Sequence, residues 1–208
     1  MNKEKELAMK KGIKLACLYS YGCTMATRLD VNELLLKGAT GETINFQKMA
    51  ELLQKFDFFP FLMKIAEAKG RCPWDPEMVR AYWLAEGVDC LQNCHSAGVL
   101  HDLLKIMEVG RVSENIANLL LDCLVLPAQI VAIQDRGLFL VEGRKVVFRK
   151  QEDRFVFVDF REQLGQVDSG RFAEGDLVSV HLQRIRENIS SEQQTTLLKS
   201  IEEVFSIK

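Results

Sequence analysis

The sequence of 208 residues lacks the features that mark several protein classes. No apolar run approaches the roughly 20 residues needed to span a bilayer. The charged start, Met-Asn-Lys-Glu-Lys-Glu, is not followed by a long apolar segment. The formal net charge is only -2, which gives no electrostatic attraction to nucleic acid or to an anionic membrane surface. We therefore expect a cytoplasmic protein with no nucleic-acid partner and no membrane partner.

Signatures of catalysis are also scarce. The turn glycines at positions 137, 143 and 175 have no phosphate-loop pattern around them, and no Ser/His/Asp arrangement is readable. The six cysteines are scattered over the first three fifths of the chain, unlike the dense framework of a small secreted scaffold. We therefore expect reduced thiols, and a binding protein rather than an enzyme.

Up to about residue 122 the apolar residues recur at helical spacing. Within residues 45–68 this pattern is interrupted by Pro60, which predicts two helices or a kink. Asp75 followed by proline, and Ser113 before an apolar run, are typical of helix starts. The sequence therefore predicts an all-helical domain at residues 1–122.

After Pro127 the apolar period changes to two, the spacing of β-strands. Glycine-containing turn signals lie at residues 135–137, 142–144 and 174–176, and they divide five short predicted strands. Ser190 and Gln193 form a capping-box pattern before a final amphipathic helix. The second domain, residues 123–208, is thus predicted to be a small β-barrel with a C-terminal helix.

Two motifs in this second domain resemble one known family. Residues 123–133 read Cys-Leu-Val-Leu-Pro-Ala-Gln-Ile-Val-Ala-Ile, and residues 175–181 read Gly-Asp-Leu-Val-Ser-Val-His. With the polar-capped helix that follows, they resemble the opening and the ending of the HypC/HupF hydrogenase-maturation chaperones. The resemblance implies an OB-like barrel, and an α+β fold class for the whole chain.

The resemblance also implies a function. That family escorts the iron centre of [NiFe] hydrogenases, carries an Fe(CN)2CO unit with the partner HypD, and delivers it to the precursor of the large subunit. On this basis Cys123 is the metal-binding or transfer thiol, with Pro127 and His181 as supporting residues. A thiolate suits this chemistry because it is a soft iron ligand that another thiolate can replace.

Three positions depart from the family pattern. Cys123 is internal instead of near the N-terminus, Ala128 replaces the usual glycine, and Leu182 follows His181 where a glycine is usual. The helical part, through residues 19–23 and 79–84, resembles uncharacterised hydrogenase-associated prokaryotic proteins in which a helical segment precedes a HypC-like tail.

Other interpretations remain open at this stage. Cys123 can instead be a small buried hydrophobe, and His181 a structural hydrogen bonder, in an interaction or regulatory module that has kept the barrel without metal transfer. Single-strand nucleic-acid binding by the barrel is a second alternative, although residues 123–208 hold 12 Lys and Arg against 13 Asp and Glu, a net charge of -1.

A third alternative is a metal-binding enzyme or sensor built on a different cluster. Its ligands would be Cys90, Cys94, His95 and His101, with Cys72 as an extra ligand, because residues four apart share a helix face.

Overall fold

The structure is a computed structural model. It describes residues 3–23, 29–42, 45–87, 91–108, 113–134, 137–167 and 170–206. Over these residues the chain divides into two compact units. The first comprises Met1–Cys94 with Val167–Ser169, and the second comprises His95–Gln166 with Gly170–Lys208. No helix within the described ranges is long and apolar enough to cross a membrane.

In the described part of the chain, seven α-helices precede the first strand, as predicted. They are α1 (Lys3–Ser20), α2 (Leu29–Thr40), α3 (Phe46–Leu53), α4 (Phe59–Ala68), α5 (Pro76–Leu84), α6 (His95–Glu108) and α7 (Glu114–Leu121). A short 3-10 helix, Leu91–Asn93, lies between α5 and α6.

The predicted helix signals are found at the observed helix ends. Pro60 lies in the first turn of α4, so the apolar stretch is divided into two helices, α3 and α4. The side chain of Asp75 accepts a hydrogen bond from the Glu77 N–H, and that of Ser113 accepts one from the Ile116 N–H. Each cap satisfies a backbone donor that the first helical turn leaves without a partner.

The first unit is held together by aromatic packing. Tyr19 of α1 stacks on Trp83 of α5, with ring centroids 5.3 Å apart. The Phe58 ring lies 5.7 Å from those of both Tyr82 and Trp83. Since each of these rings is at least nine-tenths buried, the cluster forms the hydrophobic core of this unit.

The second unit contains a closed barrel of five strands. The strands are β1 (Leu126–Gln134), β2 (Leu138–Arg149), β3 (Arg154–Gln166), β4 (Leu177–His181) and β5 (Arg184–Asn188). Their order around the barrel is β1-β2-β3-β5-β4, antiparallel except for β3 and β5. The interior is filled by apolar side chains, including Val141, Val178 and Ile185. Helix α8 (Ser191–Phe205) follows and begins with the predicted capping box. The α+β fold class, with an OB-like barrel and a C-terminal helix, is confirmed.

One predicted turn is wrong. Residues 142–144 lie inside the continuous strand β2, and Gly143 pairs with Ala128 on one side and Phe160 on the other. A Cβ at position 143 would lie 2.8 Å from the Pro127 carbonyl oxygen and 2.9 Å from the Phe160 ring. This glycine is required because its neighbours approach closely, and not because the chain turns there.

One strand was missed by the sequence prediction. Only Leu182 and Gln183 lie between the end of β4 and the start of β5, and both have positive φ, 50° and 57°. Two consecutive positive φ values are typical of the tight hairpin turn that glycine and asparagine usually occupy. Leu-Gln gives no such signal in the sequence, so β5 was not recognised.

The observed units and the predicted domains begin at different residues. The predicted boundary between residues 122 and 123 lies just before β1, where the helices give way to strands. The second compact unit begins earlier, at His95, and includes α6 and α7. Independent folding of residues 1–122 and 123–208 stays a prediction.

Candidate functional site

Cys123 lies where α7 ends and the barrel begins. Its N–H donates to the Leu120 carbonyl at 3.0 Å, which continues the last helical turn. Strand β1 starts three residues later at Leu126. The residue is partly exposed, so it is not fully enclosed in the core of the second unit.

His95, the first residue of α6, holds the Cys123 backbone in place. Its Nε2 atom lies 2.7 Å from the Cys123 carbonyl oxygen. Because a carbonyl oxygen can only accept, Nε2 carries the proton, and in the neutral ring Nδ1 is then an acceptor. The His95 side chain is only 9% exposed. This contact joins residues 28 apart in sequence.

His181, at the end of β4, belongs to the same cluster. Its ring is fully buried and stands edge-on to the His95 ring, with centroids 5.3 Å apart and an interplanar angle of 80°. Buried Arg186 of β5 donates to the His181 carbonyl through Nε at 3.2 Å and Nη2 at 2.9 Å. We call Cys123, His95, His181 and Arg186 the Cys123 site.

A backbone contact ties the end of α7 to the turn between β4 and β5. The Leu182 N–H donates to the Asp122 carbonyl at 3.3 Å. The segment that carries Cys123 is therefore fixed on two sides, by the His95 ring and by Leu182. The structure thus brings together the two predicted residues Cys123 and His181, with His95 between them.

The electrostatic environment keeps the Cys123 thiol protonated. Burial raises the pKa of this thiol above its ordinary value of 9.0, and the negative charges of Asp122 and Asp102 raise it further. Burial also raises the pKa of the Asp122 carboxyl, with Lys145 acting in the opposite direction. The same carboxylates that disfavour a thiolate favour a cation bound beside it.

His95 is held in its neutral form. Burial lowers the pKa of its imidazole from 6.5 to about 4, against the opposing effects of the Cys123 carbonyl and Asp102. A neutral ring can keep its single N–H on the Cys123 carbonyl over the physiological pH range.

Pro127 is placed next to a groove on the barrel instead of in the Cys123 site. It pairs with Ser179 of β4 and lines a groove of about 650 Å³ together with Gly143, Arg144, Arg161 and Leu198. Gly143 adds no side chain to the groove beside Pro127.

The alternative metal cluster is not assembled by the described residues. Among them, no group of three or more His, Cys, Asp or Glu side chains could hold a metal ion. Cys90 lies outside the described residues. His95 instead contacts Cys123, and His101 is exposed beside Asp102. Metal binding at this cluster stays a prediction.

Sequence reasoning missed two features of the Cys123 site. Arg186 was not selected because an arginine in a short alternating segment is usually solvated, yet it is only 2% exposed. His95 was selected for a different role, as a metal ligand. Neither contact has a local sequence signal, since each depends on how distant elements meet.

Comparisons with known proteins found no match for this chain. The chain matches no family model, no curated protein and no solved structure.

Proposed function

We propose that this protein is a non-enzymatic accessory protein of [NiFe] hydrogenase maturation, acting in the cytoplasm. In this proposal Cys123 carries the Fe(CN)2CO unit as transient cargo. The barrel-containing unit binds a HypD-like maturation factor or the precursor of the hydrogenase large subunit.

The observation that supports this proposal is the clustering of Cys123 and His181. They come from the two separate motifs that resemble the HypC/HupF family, and the His95 ring lies between them, bonded to the Cys123 carbonyl at 2.7 Å and 5.3 Å from the His181 ring. A rigid backbone around a partly exposed thiol is what a carrier needs, because the thiol must be presented to two partners in turn.

The chemistry of loading follows from the state of the thiol. Cys123 loses its proton to solvent and its sulfur donates an electron pair to the iron, so one proton is released for each iron unit bound. Because the pKa of this thiol is raised, proton competition weakens iron binding at neutral pH. A weakly held cargo can be passed to a stronger acceptor thiolate.

A second function is favoured by specific observations. His181 is fully buried and its carbonyl is held by Arg186, which suits a structural role. The raised pKa of Cys123 suits an unreactive thiol. These features favour an interaction module that keeps the barrel and its partners without carrying metal.

Anaerobic co-purification separates these two functions. The tagged protein is isolated from a host with a working hydrogenase-maturation pathway, and the bound proteins and iron are measured for wild type and Cys123→Ala. Cys72→Ala, which removes an exposed thiol of the first unit, is the control. Our proposal expects maturation partners and iron with wild type and the control, and loss of iron with Cys123→Ala.

The remaining outcomes have distinct meanings. Partners without iron in all three proteins would establish the interaction module. Absence of both partners and iron from the wild type, in a host shown to contain the partners, would reject both functions.

A further inference from the structure

Among the strands that the structure describes, most of β3 has a partner on one side only. It pairs with β2 in unbroken register from Arg154 to Gly165. On its other side it pairs with β5 only at Gly165 and Gln166. Within the described part of the chain, the opposite edge of residues 154–164 is therefore not covered by a strand.

The direction of the backbone groups on this edge follows from one contact. The Phe148 N–H donates to Asn118 Oδ1 at 2.7 Å, and the Phe148 carbonyl accepts from Asn118 Nδ2 at 3.4 Å. Both groups therefore point away from β3. Since Phe148 pairs with Phe155, the N–H and carbonyl of Phe155 point away from β2, because antiparallel pairs alternate in this way.

The same alternation applies along the strand. The N–H and carbonyl groups that face outward belong to every second residue: Phe155, Phe157, Asp159, Arg161 and Gln163. Within the described residues, none of these outward backbone groups has a hydrogen-bond partner. Four consecutive residues of this edge, Phe155 to Val158, are apolar. A hollow of about 400 Å³ borders the first three of them and is also lined by Phe205 and Ser206 at the end of α8.

The edge of β2 in the same hairpin is protected. Helix α7 covers it through the two Asn118 bonds to Phe148 and through Glu114, whose carboxylate accepts from the Lys150 N–H at 3.1 Å. Strand β3 has no proline or lysine in residues 154–164, and its register with β2 has no bulge. Such an edge is a template for another strand.

We propose that the β3 edge binds the β3 edge of a second copy of this chain, forming a two-fold symmetric dimer with a continuous sheet. The two-fold axis passes beside Val158, so that Phe157 pairs with Asp159 of the second copy and Phe155 pairs with its Arg161. This register places Phe155, Phe157, Asp159 and Arg161 in hydrogen-bonded pairs and gives about eight intermolecular hydrogen bonds.

Charge complementarity favours this register and favours a second copy of the chain as the binding partner. Arg154 lies opposite Glu162 of the second copy, and the symmetry produces this pair twice. Both side chains reach solvent, Arg154 being 64% and Glu162 36% exposed, and within one chain Arg154 pairs with Glu152 and Glu162 with Lys145, so the intermolecular pair would extend these surface ion pairs. Val156 lies opposite Phe160, an apolar cross-strand pair. A shift that centres the axis on Asp159 would place two carboxylates face to face.

A charge-swap experiment tests the dimer and its register. Sedimentation velocity of the full chain is measured over a concentration series for wild type, Arg154→Glu, Glu162→Arg and the double variant. Each single change replaces two attractive pairs by two repulsive ones, so we expect the dimer dissociation constant to rise about tenfold or more. The double variant restores opposite charges and should return the constant to near the wild-type value.

Amide hydrogen exchange provides a second test that needs no variant. Phe155, Phe157, Asp159 and Arg161 amides should become protected as the concentration rises. The Val156 and Val158 amides, which face β2, should be protected at every concentration and are the internal control.

Three results would overturn the proposal. The first is a wild-type chain that sediments as a monomer at every concentration. The second is a dimer whose outward β3 amides exchange at a concentration-independent rate, because that dimer uses another surface. The third is a double variant no tighter than the singles, with the circular dichroism and melting temperature of the wild type.

Discussion

Replacement of His95 by glutamine tests the buried hydrogen bond at the Cys123 site. The imidazole pKa is lowered from 6.5 to about 4 in the folded chain, so the unfolded state binds more protons than the folded state as the pH falls below 6.5. Protonation of this histidine therefore destabilises the fold. The stability that the neutral His95 ring contributes is complete above pH 6.5. The stability is lost progressively between pH 6.5 and 4, and no further loss from this group follows below pH 4.

The size of the effect follows from the two pKa values. The full shift corresponds to about 3 kcal/mol, and at pH 5 the wild type loses about 2 kcal/mol through this group relative to neutral pH. His95→Gln keeps a side chain that can donate to the Cys123 carbonyl but does not titrate. The variant should be less stable at pH 8, yet its free energy of unfolding should fall less between pH 7 and pH 5.

Urea unfolding of the full chain at a series of pH values measures this difference. All other titrating groups are common to the two proteins, so the difference between their curves isolates His95. His101→Gln is the control, because that ring is exposed on the same helix. If wild type and His95→Gln lose stability in parallel between pH 7 and pH 5, the assigned burial and hydrogen bonding of His95 are wrong.

Three further substitutions test other parts of the structure. Asp122→Asn removes one of the charges that raise the pKa of Cys123, so the rate of iodoacetamide alkylation at pH 8 should rise by a few fold. Gly143→Ala should cost about 1–3 kcal/mol in chemical denaturation, because the new methyl group meets a carbonyl oxygen and a ring. Asn118→Ala removes both bonds to Phe148 and should also cost about 1–3 kcal/mol in the same assay.

Each of these changes has a matched control in the same unit. Asp153→Asn removes a carboxylate in the turn between β2 and β3 and should leave the alkylation rate of Cys123 unchanged. Gly165→Ala places a methyl group in a strand with no heavy atom closer than 3.8 Å. Leu119→Ala alters an exposed neighbour on α7. Equal effects of a substitution and its control would contradict the contact in question.

The sequence was sufficient where structure depends on local signals. Pro60 divided two helices, Asp75 and Ser113 capped two others, and the change of apolar period after Pro127 marked the start of the barrel. Each of these signals acts within a few residues, through backbone geometry or a single cap, so it can be read without knowledge of the tertiary structure.

The sequence was insufficient where distant parts of the chain decide the structure. Gly143 looked like a turn glycine, but its role is to let the Pro127 carbonyl and the Phe160 ring approach β2. Leu182 and Gln183 form a turn that their residue types do not favour, since pairing of β4 with β5 enforces it. Cys123 and His181 were selected through the family resemblance, whereas their link through His95 could be found only from the fold.

Infrared spectroscopy tests the proposed carrier function most directly. Wild type and Cys123→Ala are purified without oxygen from a host with a working hydrogenase-maturation pathway, and the region of the cyanide and carbonyl stretching bands is recorded. Our account predicts both sets of bands in the wild type and neither in Cys123→Ala. Bands of equal intensity in the two proteins would show that the cargo is not held by Cys123. Absence of bands from both, with the maturation partners present, would contradict iron carriage by this chain.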